Sequence, residues 1–381
     1  MVFYRYYIVS FTPFLTLLVI GISCLFSLNS ISSQDEDEDD DGFFVVPENE
    51  FYDPENYALD KSVLSPSPSP SLESENLSKH TMNNKNTEQF VNSENSSDFN
   101  FALAGDWGCT KDTAKTVDLI QSQNPDLVFS LGDTSYDPDI KCWTDIVSPI
   151  SYKIKAVIGN HDVMSPNLFD QHLKAFGLDK PYYSFDYNNI HFLMMDSESS
   201  YLPGSDPTFV GLEDTEQYQF VENDLDKASN NPHIKWIIVM SHRQFYSSHC
   251  GPHDSCDPIK KWRDAYHPLF ERYGVDLLFS GHAHNYERTY PLFYNGMNPS
   301  QPIIAENGET DYKSPKGMFQ IIVGTGGIDH DPFTNQEPFV VYQQDFSYGF
   351  LNIDVIDQEN ILIGKYYDND GDILDEFKIS T

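Results

Sequence analysis

Short apolar runs recur from residue 99 onward, and most of them stop on glycine followed by polar residues. Phe99 to Gly105, Pro125 to Gly132, Ile154 to Gly159, His233 to Met240 and Val275 to Ser280 have the length and the β-branched or aromatic content of buried strands. Between them, Asp112 to Gln123, Cys142 to Ile150, Glu213 to Asn230 and Ile259 to Tyr273 read as helices; in the third, Leu212, Phe220, Val221 and Leu225 share one face. Strands alternating with helices predict a parallel sheet, whose ligands collect beyond the carboxyl ends of the strands.

The later pattern is more antiparallel. Tyr182 to Tyr187 and His191 to Asp196 are expected to pair across Asn188-Asn189. Gly317 to Gly324, Tyr348 to Ile356 and Ile361 to Tyr367 follow, with a turn at Asp370-Gly371. The expected architecture is a four-layer α/β sandwich, α-β-β-α, in which helices flank two mixed sheets.

Three regions follow from composition. Residues 1–33 hold Arg5 and then an almost uninterrupted apolar run over 6–28, which fits a cleaved secretory signal and an N-terminal membrane anchor equally. Either predicts export, as a secreted protein or one anchored at the cell surface. Residues 34–98 open on the acidic run Asp35 to Asp41, pass through a Ser-Pro repeat and become rich in Asn, Ser and Glu. Such a stretch buries too little apolar surface to offset the entropy of ordering and is expected to be a linker; Asn76 and Asn95 head glycosylation sequons within it. The folded domain is expected over 99–381.

A net charge of −36 repels nucleic acid and anionic membrane alike, so neither is an expected partner surface. Beyond Cys24 in the apolar run, four cysteines remain, an even number for an oxidising compartment. Cys250 and Cys256 share one Gly/Pro/Asp-rich loop and could close a small ring, while a Cys109–Cys142 bridge would tie two strand-end loops together.

Those strand ends carry the chemistry. They read Gly105-Asp106-Trp107-Gly108, Gly132-Asp133-Thr134-Ser135-Tyr136, Gly159-Asn160-His161-Asp162, Ser241-His242 and Gly281-His282-Ala283-His284. Glycine before a ligand lets the backbone turn sharply and approach an ion. Carboxylates, an amide oxygen, imidazoles and a phenol form a mixed oxygen and nitrogen set suited to iron, manganese or zinc and unlike a thiolate site. Alone, a Gly-Asp turn or one tyrosine after a strand signifies little; five such ends in one chain point to a common site.

The five blocks resemble the signature of the metallophosphoesterase superfamily, and Tyr136 is similar to the tyrosine of its purple acid phosphatase branch. Many superfamily members carry Asp-x-His in the first block; Gly108 stands in that histidine's place here, and Tyr136 fills the gap. The run His282 to Arg288 also resembles the family, and the resemblance extends from about Phe99 to the C-terminus. It implies that Asp106, Tyr136 and His284 hold a ferric ion, that Asn160, His242 and His282 hold a divalent ion (iron, zinc or manganese), and that Asp133 bridges the two. Asp162 stands where the family often has Glu, and a supporting rather than ligating role is expected.

The activity implied is hydrolysis of small phosphomonoesters by attack of a metal-bound hydroxide at acid pH, the stronger Lewis acidity of ferric iron favouring the acid range. His161, with His249 or His253, is expected to neutralise charge and protonate the leaving group, and Arg243, beside His242, is a candidate phosphate contact along with Asn160. A phosphodiesterase or nucleotide pyrophosphatase of the same superfamily is the alternative, and an inactive surface binding protein a more distant one. His191, within an apolar strand, reads as structural, as does Trp107.

Overall fold

The computed structural model describes residues 98–198, 215–249 and 256–381, the side chains of 256–259 excepted. The apolar segment 6–28, the linker up to residue 97, His253 and any Cys250–Cys256 bridge lie outside the described residues. No helix among the described residues is long and apolar enough to cross a membrane.

Two seven-stranded sheets carry the fold. In the first, Phe99–Ala104, Leu127–Ser130 and Ile154–Ala156 run parallel, and the antiparallel strands Gly349–Ile356, Ile361–Asp368 and Ile373–Ser380 extend it from the other side of Phe99–Ala104. In the second, Ile190–Met194, Trp236–Met240, Leu277–Ser280 and Phe319–Val323 are parallel neighbours, with the hairpin strand Tyr183–Tyr187 at one edge.

Alternation along the strands explains the layering. Phe101, Leu103, Phe129, Phe192, Met194, Ile238 and Phe279 fill the space between the sheets. Their neighbours turn outward: Ala102 and Ala104 pack with Val117, Ile120 and Trp143 of the helices Lys111–Gln123 and Lys141–Ile146. Leu193, Ile237 and Val239 likewise pack with Val221, Leu225, Trp262 and Tyr266 of Glu216–Ser229 and Cys256–Tyr273. With both faces buried, these strands read as continuous apolar runs, and the four-layer sandwich is the one expected. Phe101 meets Phe192 edge-on at 5.4 Å between ring centroids and Phe129 at 5.5 Å; truncating such a ring costs on the order of 3–5 kcal/mol.

Element ends depart from the apolar pattern where backbone chemistry intervenes. The second strand is Leu127–Ser130, not Pro125 to Gly132, because Gly132 at φ 92° turns the chain out of the sheet. The helix read over Cys142 to Ile150 is Lys141–Ile146, stopped ahead of Pro149. One helix, Pro166–Phe176, adds to those expected; Leu168 and His172 are its buried residues, Ser165 caps it, Pro166 opens it and left-handed Gly177 closes it. A disulfide joins Cys109 to Cys142 across a sequence separation of 33, a closure that stabilises by about 3–4 kcal/mol through the unfolded state.

Candidate metal centre

The loops that leave the parallel strands bring the predicted residues together. Asp106 follows Phe99–Ala104, Asp133 and Tyr136 follow Leu127–Ser130, Asn160 follows Ile154–Ala156, His242 follows Trp236–Met240, and His282 and His284 follow Leu277–Ser280. Three of these, Asp106, Asp133 and His282, adopt left-handed φ values of 56°, 49° and 71° without being glycine. Each costs about 1–3 kcal/mol, and such residues persist where the surroundings impose them. The crowding is visible at Gly132 and Gly159: an added Cβ would sit 2.5 Å from His242 Nδ1 at the first and collide with the Asp133 carboxylate at the second.

Ligand atoms of Asp106, Asp133 and His284 all lie within 4.8 Å of one another. The Tyr136 hydroxyl stands 3.0 Å from His284 Nε2, 3.4 Å from Asp133 Oδ2 and 3.5 Å from Asp106 Oδ1. On the other side of Asp133 Oδ2, His242 Nε2 is 3.4 Å away, and that nitrogen lies 3.0 Å from Asn160 Oδ1 and 3.3 Å from His282 Nδ1. Asp133 Oδ2 is thus the common corner of two donor groups.

Ring orientation is fixed from behind. His242 donates Nδ1–H to the Leu131 carbonyl at 2.8 Å, and His284 donates Nδ1–H to the Asp329 carbonyl at 2.9 Å. Each Nε2 then presents a lone pair to the centre, as a metal-ligating imidazole must. Lone pairs of His242, Asn160 and Asp133 consequently face one another, an arrangement that requires a cation. The chain alone meets the need with protons. Burial opposes charge on both members of the pair, yet the His242 imidazole is raised far above its usual range by Asp133 and Asp106, and Asp133 is held well below its own by His242. Burial first, then the charge of Asp133, lifts Asp106, and burial together with both carboxylates raises the Tyr136 phenol. Bound cations would answer all of these at once, so the donor set fits a two-metal centre.

Asp162 holds this frame together. Its carboxylate accepts from the amides of Gly159 at 2.8 Å, Asp133 at 3.0 Å and Thr134 at 3.0 Å, and is 2.9 Å from His172 Nε2. It touches no donor atom of the centre, in keeping with a supporting role. A cleft of about 380 Å³ opens over the site, lined by Asp133, Asn160, His161, His249, His282, His284 and Asp331. The His161 ring lies 4.2 Å from that of Tyr136, and His249 is 3.7 Å from Asp331.

Arg243 departs from the expectation of a phosphate contact. Its guanidinium binds the buried carboxylate of Glu198 in a bidentate pair at 2.7 and 3.0 Å, donates toward His282 Nε2 at 3.1 Å and does not line the cleft. Hydrogen-bonding geometry explains it: a planar fork matches a buried carboxylate better than open solvent does. Glu198 and Asp331 are the site residues that the sequence reading passed over. Asp196-Ser197-Glu198 is a further polar strand end, after Ile190–Met194, and Asp329-His330-Asp331 follows a glycine cluster; both signals were present. His191 bonds Asp186 and Asp224, and Trp107 is fully buried, so both are structural.

This fold and its donor cluster match a known protein family. The calcineurin-like phosphoesterase family matches residues 99–286, and the chain belongs to that family. Within it, the chain falls in the purple acid phosphatase branch. It is 29% identical over 318 residues to "Probable inactive purple acid phosphatase 1" of Arabidopsis thaliana, covering 75% of this chain and 48% of that one. It is also 29% identical over 283 residues to "Nucleotide pyrophosphatase/phosphodiesterase" of Hordeum vulgare, covering 67% and 72%. Among solved structures, purple acid phosphatase PPD1 from yellow lupin (Lupinus luteus) seeds matches with a TM-score of 0.62 at 23% identity, over 75% of this chain and 54% of that one, a likeness of fold. The chain spans about half the length of the curated Arabidopsis relatives it matches.

Proposed function

We propose that this protein is an exported binuclear-metal acid phosphatase that hydrolyses small phosphomonoesters. The observation that carries the reading is the position of Asp133 Oδ2, 3.4 Å both from the Tyr136 hydroxyl and from His242 Nε2. Asp106, Tyr136 and His284 would hold a ferric ion with Asp133, and Asn160, His242 and His282 a divalent iron, zinc or manganese with the same carboxylate. A cation pair held there would polarise a phosphoryl group and lower the pKa of bound water.

The chain's own groups supply the rest. His161 and His249 line the cleft, where they can neutralise phosphoryl charge and pass a proton to the departing alkoxide. Pro332 steadies His249, its carbonyl 3.2 Å from Nδ1. Asn160 stands where it can touch both cation and phosphate, and Arg243 is fixed by Glu198. His253, the other candidate proton donor, lies outside the described residues.

The deciding experiment follows 4-nitrophenyl phosphate turnover in His161→Ala and His249→Ala with metal content measured alongside. Loss of turnover of about 10²-fold with metal retained is expected; unchanged turnover removes the acid role. The likeness to the Hordeum vulgare nucleotide pyrophosphatase/phosphodiesterase favours a second reading, cleavage of diesters or pyrophosphates by the same centre. A higher kcat/KM for bis(4-nitrophenyl) phosphate than for the monoester would select it.

A further inference from the structure

Residues 241–249, which bring His242 to the centre and His249 to the cleft, form neither helix nor strand. Backbone N–H groups in such a segment need partners from elsewhere, and buried side chains supply them here. Gln320, fully buried on Phe319–Val323, accepts from the amides of Phe245 at 2.7 Å and Tyr246 at 3.0 Å. Glu287, fully buried on the neighbouring strand Tyr286–Thr289, accepts from the amide of Ser248 at 2.8 Å. The Ser248 hydroxyl in turn accepts from the amide of Glu337 at 3.0 Å. Glu287 thus grips the residue next to His249 from behind, and it does not line the cleft.

We infer that Glu287 is a positioning residue, whose reach to the Ser248 amide fixes His249 at the metal cleft. The proton-donor role of His249 is the reading on which this rests. Proton transfer tolerates little displacement, and a misplacement of about 1 Å can cost on the order of 10²-fold in rate. A side chain one methylene shorter withdraws its acceptor from the Ser248 N–H by about one bond length, roughly 1.5 Å. Reach, rather than charge, is what the geometry requires. Burial pushes the Glu287 carboxyl up to about 7 against the pull of the Ser248 amide and hydroxyl, with Glu337 adding to the rise. The group is therefore neutral in the acid range, where glutamine matches it in length and charge.

Length and charge can be varied separately. Glu287→Asp keeps the acid and shortens it, whereas Glu287→Gln keeps the length and an acceptor oxygen. The substrate is phenyl phosphate, whose phenoxide needs a proton more than 4-nitrophenoxide does. In Glu287→Asp its kcat should fall about tenfold or more, with KM and metal content unchanged, and Glu287→Gln should rescue it. In a His249→Ala background Glu287→Asp should cost nothing further, as expected of a residue that acts through another. Glu287→Leu, which removes the acceptor altogether, is the second variant and should behave as Glu287→Asp does. Hydrogen exchange at the Ser248 amide reads the anchor without any turnover. It should quicken about tenfold or more in Glu287→Asp and Glu287→Leu, and not in Glu287→Gln. Equal loss of turnover in Glu287→Gln and Glu287→Asp, a further loss in the His249→Ala background, or unchanged exchange in both Glu287→Asp and Glu287→Leu would overturn the inference. A wild type without turnover whose Ser248 amide still answers to side-chain length would keep the anchor and refute the phosphatase reading.

Discussion

Two clusters of aspartate and histidine in this molecule use the same side chains to opposite ends. At the edge of the second sheet, His191 donates to Asp186 at 2.7 Å through Nδ1 and to Asp224 at 2.9 Å through Nε2, and Ser184 donates to Asp224 at 2.9 Å. Both ring nitrogens meet a carboxylate, so the cluster is closed. In the cleft, His242 and His284 spend one nitrogen on a backbone carbonyl and aim the other at carboxylates and at an amide or phenol oxygen, beside Asp106, Asp133 and His282 in left-handed backbone positions. The cleft is open to a cation where the sheet edge is complete. A histidine–aspartate contact is therefore no sign of function by itself; lone pairs converging on one point are.

The largest expected effect that separates the two clusters is at the shared corner. Asp133→Ala should lower kcat/KM by about 10³-fold or more and leave fewer than two metal ions per chain, because both donor groups lose a member. Elemental analysis with aryl phosphate kinetics checks it, and retention of two ions would break the contrast. Next comes the frame. Gly159→Ala, which drives a methyl into the Asp133 carboxylate, and Asp162→Asn, which leaves one amide facing another N–H, should each weaken metal affinity about 10- to 100-fold with the fold intact by circular dichroism.

The closed cluster should answer in stability alone. His191→Asn is expected to cost about 1–3 kcal/mol in urea unfolding without change in kcat/KM. Its two carboxylates hold the His191 imidazole above its ordinary value although burial works against charge; Lys227 also lines the cavity beside it. A raised folded pKa means that the stabilisation is complete below about pH 6.5, the unfolded value, and is lost as pH rises through the folded one. The difference in urea midpoint between wild type and His191→Asn should accordingly shrink as the pH is raised. A difference that grows with pH would reverse the assignment.

Much of this contrast was legible in the sequence. His191 between Ile190 and Phe192 read as a core histidine, and the five polar strand ends, four of them preceded by glycine, read as one site, because apolar runs locate strands and a parallel sheet places their carboxyl ends together. The Asn188-Asn189 turn followed from local chemistry for the same reason. Other features depend on contacts distant in the chain. Nothing local to Arg243 says that Glu198 captures it. Pro166–Phe176, by contrast, carries Leu168, Phe169, Leu173 and Phe176 at helical spacing between its caps, so that helix was within reach of the sequence. Asp331 reaches the cleft from a loop after Phe319–Val323, a distance that no spacing rule encodes.

The central claim is that Tyr136 and Asp133 place a ferric ion beside a divalent one. Metal analysis combined with the visible spectrum of purified wild type and Tyr136→Phe tests it most directly. The account predicts two ions per chain, one of them iron, and a phenolate-to-iron charge-transfer band that gives a purple or pink colour and disappears in Tyr136→Phe. A colourless iron-loaded protein, or a band that survives the substitution, would contradict it.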